Sequence, residues 1–245
     1  MTDTASTSDP RWRRLPEERP GQILEAALRV FSEKGLEAAK LEDIAHLAGV
    51  SKGTIYLYFQ SKEDLFREVV RANIVPLVDH AERSVGSASA TVELERYLRT
   101  HWESIARDHS AGWMRLIIGE LHRFPDLAEF YSREVISRSW NILSRIILRG
   151  IASGEFRAVD PAAAVSMVHA TTIMHAVWVG PTSLHPHVRA KSRQQVIDEI
   201  VDFILHALRA GRLRRAPSDL LLERGNERLR RIDLLGIARV RRRVE

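Results

Sequence analysis

From Gln22 the apolar residues recur with the spacing of one helix face. Ile23, Ala26, Ala27, Val30 and Phe31 stand at i, i+3, i+4, i+7 and i+8, the repeat that turns a stripe of side chains toward a core. Gly35 suits the helix end. The pattern then predicts short helices over about 41–48 and 53–59, separated by a turn at Gly49-Val50-Ser51. Ser61-Lys62-Glu63-Asp64 has the Ser-x-x-Asp form of a capping box and opens a long fourth helix, which Pro76 should kink. After a loop at Gly86–Ser89, further helices are expected over about 91–108, 111–122, 126–152, 161–179 and 193–210. Their ends have causes: Gly154 for a left-handed C-terminus, Asp160-Pro161 as N-cap and first helical residue, Ser192 with Gln195 as a second capping box. No segment sustains a period-2 alternation. With 13 Gly and 9 Pro in 245 residues, turn chemistry is too sparse for a many-stranded barrel, and the expected fold class is all-α.

Composition changes this picture in three places. Cysteine is absent, which excludes disulfides and cysteine-ligated metals and suits a reducing, cytoplasmic setting. The net charge of +5 is carried by the end of the chain: residues 211–245 hold 11 basic and 5 acidic side chains. Isoelectric point alone is therefore weak support for nucleic-acid binding, which must rest on local motifs. Pro161–Val188 contains no Asp, Glu, Lys or Arg, yet its four histidines, hydroxyl side chains and prolines suit a helix buried on most of its circumference, inside a core or a subunit interface, better than a membrane span.

The motif lies in Leu41–Gln60, LEDIAHLAGVSKGTIYLYFQ. Two helices crossing steeply through a short turn need small residues where they approach, a glycine for positive φ, and a cap for the second helix. Ala45, Gly49 and Ser51 supply these, while Ile44, Ala48, Val50 and Ile55 supply the apolar faces. This is the helix-turn-helix pattern, whose second helix enters the major groove. Lys52, Thr54, Tyr56 and Tyr58 offer donors to phosphate, and Lys62 stands at the next helix start, where amides and an ammonium could grip one phosphate. Phe59 is assigned to the core, and the tyrosines are expected to pack their rings with hydroxyls outward.

Ile23–Val70, and above all GVSKGTIYLYFQSKEDL, closely resembles the DNA-binding domain of the TetR family of one-component transcriptional regulators. HRFPDLAEFY and GEFRAVDP resemble the family's regulatory domain more loosely. The resemblance implies an all-helical homodimer: an N-terminal three-helix helix-turn-helix domain, a connecting fourth helix, and a larger helical ligand-binding and dimerisation domain. The chain divides accordingly into a disordered arm (1–20, with Arg11-Trp12-Arg13-Arg14 as a candidate minor-groove contact), a helix-turn-helix domain (21–68), a ligand-binding and dimerisation domain (69–210) and a basic tail (211–245). Lys52 and Gly53 would meet base edges, with Lys52 suited to guanine, and Thr54 a base or a phosphate. Leu57 would meet a thymine methyl, and Tyr56, Tyr58 and Lys62 phosphates. Where the family often has Ser or Thr at the second helix start, this chain has Ala39-Lys40, so capping should be weaker and Lys40 would bring a charge to the phosphate instead.

The implied function is a ligand-responsive, sequence-specific repressor, released from a near-palindromic double-stranded DNA operator by a small hydrophobic effector. The alternative is a constitutive DNA-organising protein of the same fold. Trp102, Trp113, Phe130 and Trp140 are the candidates for an effector pocket, on helices that form it in the family. On the helix at 193–210, Ile197, Ile200, Val201, Ile204 and Leu208 form one stripe, widened by Phe203 and Ala207, so that one stripe is available to its own domain and the other to a partner; with the helix at 161–179 it resembles the family's four-helix dimer interface. No metal or cofactor site is expected: His169 and His175 are six apart, not the i, i+4 spacing of a zinc helix, and His185-Pro-His187 reads as a loop. No phosphate loop, activated cysteine or nucleophile elbow is present, so an enzyme is not expected.

Overall fold

The computed structural model describes residues 19–86, 88–106, 110–179 and 185–210. Arg11–Arg14 and the tail beyond Ala210 lie outside them. The first helix, α1 (Arg19–Ala38), begins inside the segment expected to be an arm. It is kinked at Gly35, whose φ of 81° is open only to glycine without strain. Then follow α2 (Leu41–Ala48), α3 (Lys52–Tyr58) and α4 (Lys62–Asn73). The expected long helix is not kinked at Pro76 but divided. Ile74 closes α4, and α5 (Val75–Arg83) starts afresh with proline in its first turn, where the missing N–H costs nothing.

The second half is α6 (Ala90–Ile105), α7 (Ser110–Gly119), α8 (Pro125–Tyr131), α9 (Ser137–Ser153), α10 (Pro161–Trp178), the short α11 (Pro186–Arg189) and α12 (Arg193–Leu208). The single helix expected over 126–152 is instead α8 and α9 joined through one π turn, Ser132–Ile136. His185 and His187, expected in a loop, flank and enter α11. Strands are absent among the described residues, which hold one isolated antiparallel bridge, Phe156 with Arg209. Gly154 ends α9 at φ 78°, Asp160 caps α10 through the Ala162 amide, and Ser192 and Gln195 form the reciprocal capping box of α12.

One buried cluster runs through both halves. Ile23, Phe31, Ile44, Ile55, Leu65 and Phe66 close the first four helices, and Leu94, Leu98, Leu143, Ile146 and Ile147 pack α6 against α9. The halves meet at α1 and α7 so tightly that a Cβ on Gly112 would lie 2.0 Å from the Ser32 carbonyl oxygen. Just beyond α7, the Glu120 carboxylate accepts hydrogen bonds from the amides of Leu36 (2.9 Å) and Glu37 (3.2 Å), restoring partners to groups freed by the kink at Gly35. The aromatic rings continue the junction. Phe31 of α1 meets Phe66 of α4 at 6.1 Å, and Phe66 stacks on Trp113 of α7 at 5.2 Å.

Candidate DNA-binding surface and effector cavity

The turn between α2 and α3 forms for the reasons its residues supply. Gly49 takes φ 65°, and its amide reaches back to the carbonyls of Ala45 and His46. Ser51 caps α3, its hydroxyl oxygen accepting from the Thr54 amide at 3.1 Å. Ser61 caps α4 by accepting from the Asp64 amide at 3.0 Å, and Asp64 accepts from the Gln60 amide. Lys40 is the N-cap of α2 and makes no side-chain cap, as its lack of an acceptor requires.

These caps hold α3 with Ile55 buried and nearly everything else outward. Leu57 is 81% exposed, Tyr56 50% and Tyr58 40%, while Phe59 is in the core at 5%. The tyrosine rings are thus more open than expected. Gly53 has no internal reason to be glycine: an added Cβ would meet only the Ser51 hydroxyl, at 3.7 Å. An exposed apolar leucine, two exposed tyrosines and a side-chain-free helix start together make a surface shaped for close approach.

Two of its lysines, Lys52 and Lys62, are engaged. The Lys52 ammonium pairs with the Glu42 carboxylate of α2 at 2.5 Å and lies 5.9 Å over the Tyr56 ring. Their hydrogen bond lowers the Glu42 pKa and raises that of Lys52, so Lys52 carries its full charge. The Lys62 ammonium donates to the main-chain carbonyls of Glu37 (3.0 Å) and Ala39 (3.2 Å), tying the start of α4 to the end of α1. This inward pose differs from the outward one expected of a phosphate contact.

A cavity of about 520 Å³ lies where the second half meets α1 and the end of α4, within the roughly 300–1,000 Å³ usual for small-molecule sites. Of the four aromatic residues expected to line it, Trp113 and Trp140 do, while Trp102 and Phe130 do not. Both are buried in packing, at 3% and 4% exposure, and the Phe130 ring receives the Arg71 guanidinium of α4 at 5.2 Å. Helical periodicity shows which residues turn inward but not whether inward means core or void. The reading of the sequence also missed lining residues. Leu28 and Ser32 belong to α1, Leu77 and Val78 to α5, and Tyr97, His101, Ser139 and His169 form a polar group in the wall. No local signal marks these positions, because the void is made by helices far apart in the chain.

The outer faces of α10 and α12 are also informative. α10 buries Ala164, Val165, Val168, Thr172 and Ala176, and α12 buries Val196, Ile197, Ile200, Val201, Ile204 and Leu208. The expected stripe of α12 is therefore used within its own chain. What remains outside is Met167, 69% exposed, and Phe203, 67% exposed, with Ala207 one turn beyond Phe203. α10 is thus apolar and uncharged and half buried within its own chain. Among the described residues no helix is long and apolar enough to cross a membrane.

Comparison with known proteins agrees with both halves of this geometry. Residues 23–69 match the model for bacterial regulatory proteins of the tetR family, and residues 92–210 that of the AefR-like transcriptional repressor C-terminal domain. The fatty acid metabolism regulator protein of Bacillus subtilis (strain 168) is 30% identical over 154 residues, 61% of this chain and 77% of that one. The HTH-type transcriptional repressor KstR2 of Mycolicibacterium smegmatis is 28% identical over 169 residues, 68% of this chain and 82% of the relative. The crystal structure of the transcriptional regulator FadR from Bacillus subtilis in complex with stearoyl-CoA superimposes with a TM-score of 0.63 at 26% identity, covering 77% of this chain and 98% of that one. A capped, outward-facing recognition helix thus shares one chain with an apolar cavity walled partly by α1. With these matches across both halves, the chain belongs to the TetR family, the ligand-responsive transcriptional regulators that bind DNA through this helix-turn-helix.

Proposed function

We propose that this protein is a dimeric repressor whose hold on its operator is released by a hydrophobic effector bound in the 520 Å³ cavity. The observation that carries the reading is the position of α1, which lines the cavity with Leu28 and Ser32 and packs through Ile23, Ala27 and Phe31 on the core of the DNA-binding helices. An effector pressing on that wall acts on the helix-turn-helix without intermediaries. α4 adds a second route, since Asn73 and Ile74 at its end also line the cavity and Phe66 stacks on the lining residue Trp113.

In this reading residues 21–68 are the DNA-binding domain and 69–210 the effector and dimer domain, joined by α4, which runs across the boundary. Lys52, Gly53, Thr54 and Leu57 face base edges, and Tyr56 and Tyr58 face phosphates. Lys40 adds an exposed charge beside them. Lys52 must exchange Glu42 for DNA, and Lys62 reaches a phosphate only by leaving the carbonyls of Glu37 and Ala39. Met167 and Phe203 form the dimer face with their symmetry mates, and the two-fold axis sets the recognition helices about 34–36 Å apart on a near-palindromic operator. The setting is cytoplasmic, and the role is regulatory rather than enzymatic.

The test is a linkage experiment. The operator, found by selecting bound sequences from random duplexes, is titrated with protein in the absence and presence of stearoyl-CoA, the ligand in the Bacillus subtilis FadR structure, and of neutral lipids. A coupling of about 1–3 kcal/mol, with DNA weakening the ligand by the same factor, is expected for one of them. Ligands that bind the cavity equally well with and without operator would make the protein a constitutive DNA-organising member of the fold. Sedimentation of the Met167→Glu, Phe203→Glu double variant reports on the dimer face: a monomer is expected, and an unchanged dimer would place the interface elsewhere.

A further inference from the structure

The cavity is lined by no charged side chain, and besides Ser32, Asn73, Thr100, Ser104 and Tyr131 its polar groups include a cluster of Tyr97, His101, Ser139 and His169. The Tyr97 ring stacks on His101 at 5.6 Å, His101 meets His169 edge-on at 6.0 Å, and Trp140 lies along His169 at 5.9 Å. The Tyr97 hydroxyl stands 3.3 Å from His169 Nε2, and Ser139 lines the cavity with them. Within this cluster His101 has a buried Nε2 without a partner, and elsewhere in the wall Ser32 Oγ and Trp113 Nε1 share that condition. An unpartnered buried nitrogen is costly unless something else satisfies it. The wall around the cluster is hydrocarbon, from Leu28, Ile74, Ile105, Met114, Ile117 and Ile173 among others, and no Asp, Glu, Lys or Arg is among the lining residues. Burial, together with the neighbouring His169, pushes the His101 pKa down to about 3, and burial lowers that of His169. Both rings are therefore neutral at neutral pH. A fixed anion here would lose its hydration and find no counter-charge.

We propose that the enclosed part of the effector is uncharged and mostly hydrocarbon, and that it carries one hydroxyl or carbonyl oxygen that hydrogen-bonds His101 Nε2. This rests on the reading of the cavity as the effector site and names what that site selects. Two sources supply the chemistry: a free neutral alcohol or ketone, or an acyl thioester whose charged carrier stays outside the cavity.

The experiment uses the full chain at pH 8 with three probes of equal chain length: decan-1-ol, decanoate and decanoyl-coenzyme A. Binding is read from tryptophan fluorescence, since Trp113 and Trp140 line the cavity, and from the rise in Tm. Decan-1-ol or the thioester is expected to bind at least about tenfold more tightly than decanoate, and His101→Leu to weaken the preferred probe about five- to tenfold without lowering the Tm. Decan-1-ol alone would mark a free neutral effector, and the thioester alone a carried acyl chain. Decanoate binding as tightly as the neutral probes would overturn the proposal while leaving the cavity as the effector site. So would a preferred probe indifferent to His101→Leu, or no binding of decan-1-ol and thioester alike. Ile173→Phe and Ile117→Phe, which shrink the void, separate the two levels: neutral-probe binding unchanged in both, with native-like melting, would remove the cavity reading itself.

Discussion

The DNA-binding helices and the cavity are both built on buried aliphatic cores, and they treat polar groups in opposite ways. Around α2 and α3, polar side chains close local hydrogen bonds: Ser51 and Ser61 cap the helices behind them, Glu42 takes Lys52, and Lys62 takes two carbonyls. Around the cavity, Tyr97, His101, His169 and Ser139 point toward a void, and His101 keeps a nitrogen unpaired. The first arrangement holds a fixed shape that needs only to be placed against DNA. The second keeps binding capacity in reserve and is least comfortable when empty. A regulator benefits from this division, because the reading surface stays rigid while the sensing volume has something to gain from a ligand.

The junction between the regions is the place to break the comparison most severely. Gly112→Val drives a side chain into the Ser32 carbonyl and should destabilise the protein by about 3 kcal/mol, lowering Tm by roughly 6–12 °C for a domain of this size. Effector and operator should uncouple even at temperatures where it stays folded. A melt within about 2 °C of the parent would show that α1 and α7 separate easily.

On the rigid side, Lys52→Ala should weaken operator binding about tenfold and lower the slope of log affinity against log salt by about one unit, with no loss of Tm. The Lys52–Glu42 pair is solvent-exposed, so its loss should not register in a melt. An unchanged salt slope would mean that Lys52 stays on Glu42 in the complex.

On the cavity side the comparison sharpens with pH. His101 titrates near 3 in the folded protein and near 6.5 when unfolded. The unfolded chain therefore binds more protons between these values, and stability is full above about pH 6.5 and falls as pH drops toward 3. The groups around it reinforce rather than offset this. His169 is lowered too, the Tyr97 hydroxyl stays protonated, and no carboxylate lines the cavity. The paired carboxylates Glu82, Glu93, Glu155 and Asp198 have lowered pKa values and lose stability only in more acid solution. Between pH 7.5 and 5 the melting temperature should fall, with a limiting slope of about 1.4 kcal/mol per unit for one histidine, and His101→Leu should flatten that fall. An identical slope in the variant would assign it to other histidines.

The smallest effect expected is a gain. Glu42→Gln releases Lys52 and removes a negative charge from the surface that meets DNA, so affinity should rise about two- to threefold at low salt and the difference should fade as salt is raised.

The sequence by itself determined what depends on neighbours in the chain. Gly49 and Ser51 shape the turn, Ser61, Asp160 and Ser192 cap their helices, Gly154 ends α9, and the outward Leu57 follows from Ile55 facing in. Each rests on a hydrogen bond or dihedral spanning a few residues, so composition and spacing suffice. Pro76 shows the margin of that logic. A proline disturbs a helix, but whether it kinks one helix or starts another depends on what packs beside it. The tertiary structure alone decided the rest. It placed Leu28 and Ser32 of α1 in the cavity wall, left Trp102 and Phe130 in the core while Trp113 and Trp140 met the void, turned Lys62 inward, and brought His101 to His169 across 68 residues of chain. A cavity is the space that α1, the helices from α4 to α10 and the π turn at Ser132–Ile136 fail to fill, and a failure to fill is a property of their mutual placement, which no stretch of sequence carries alone.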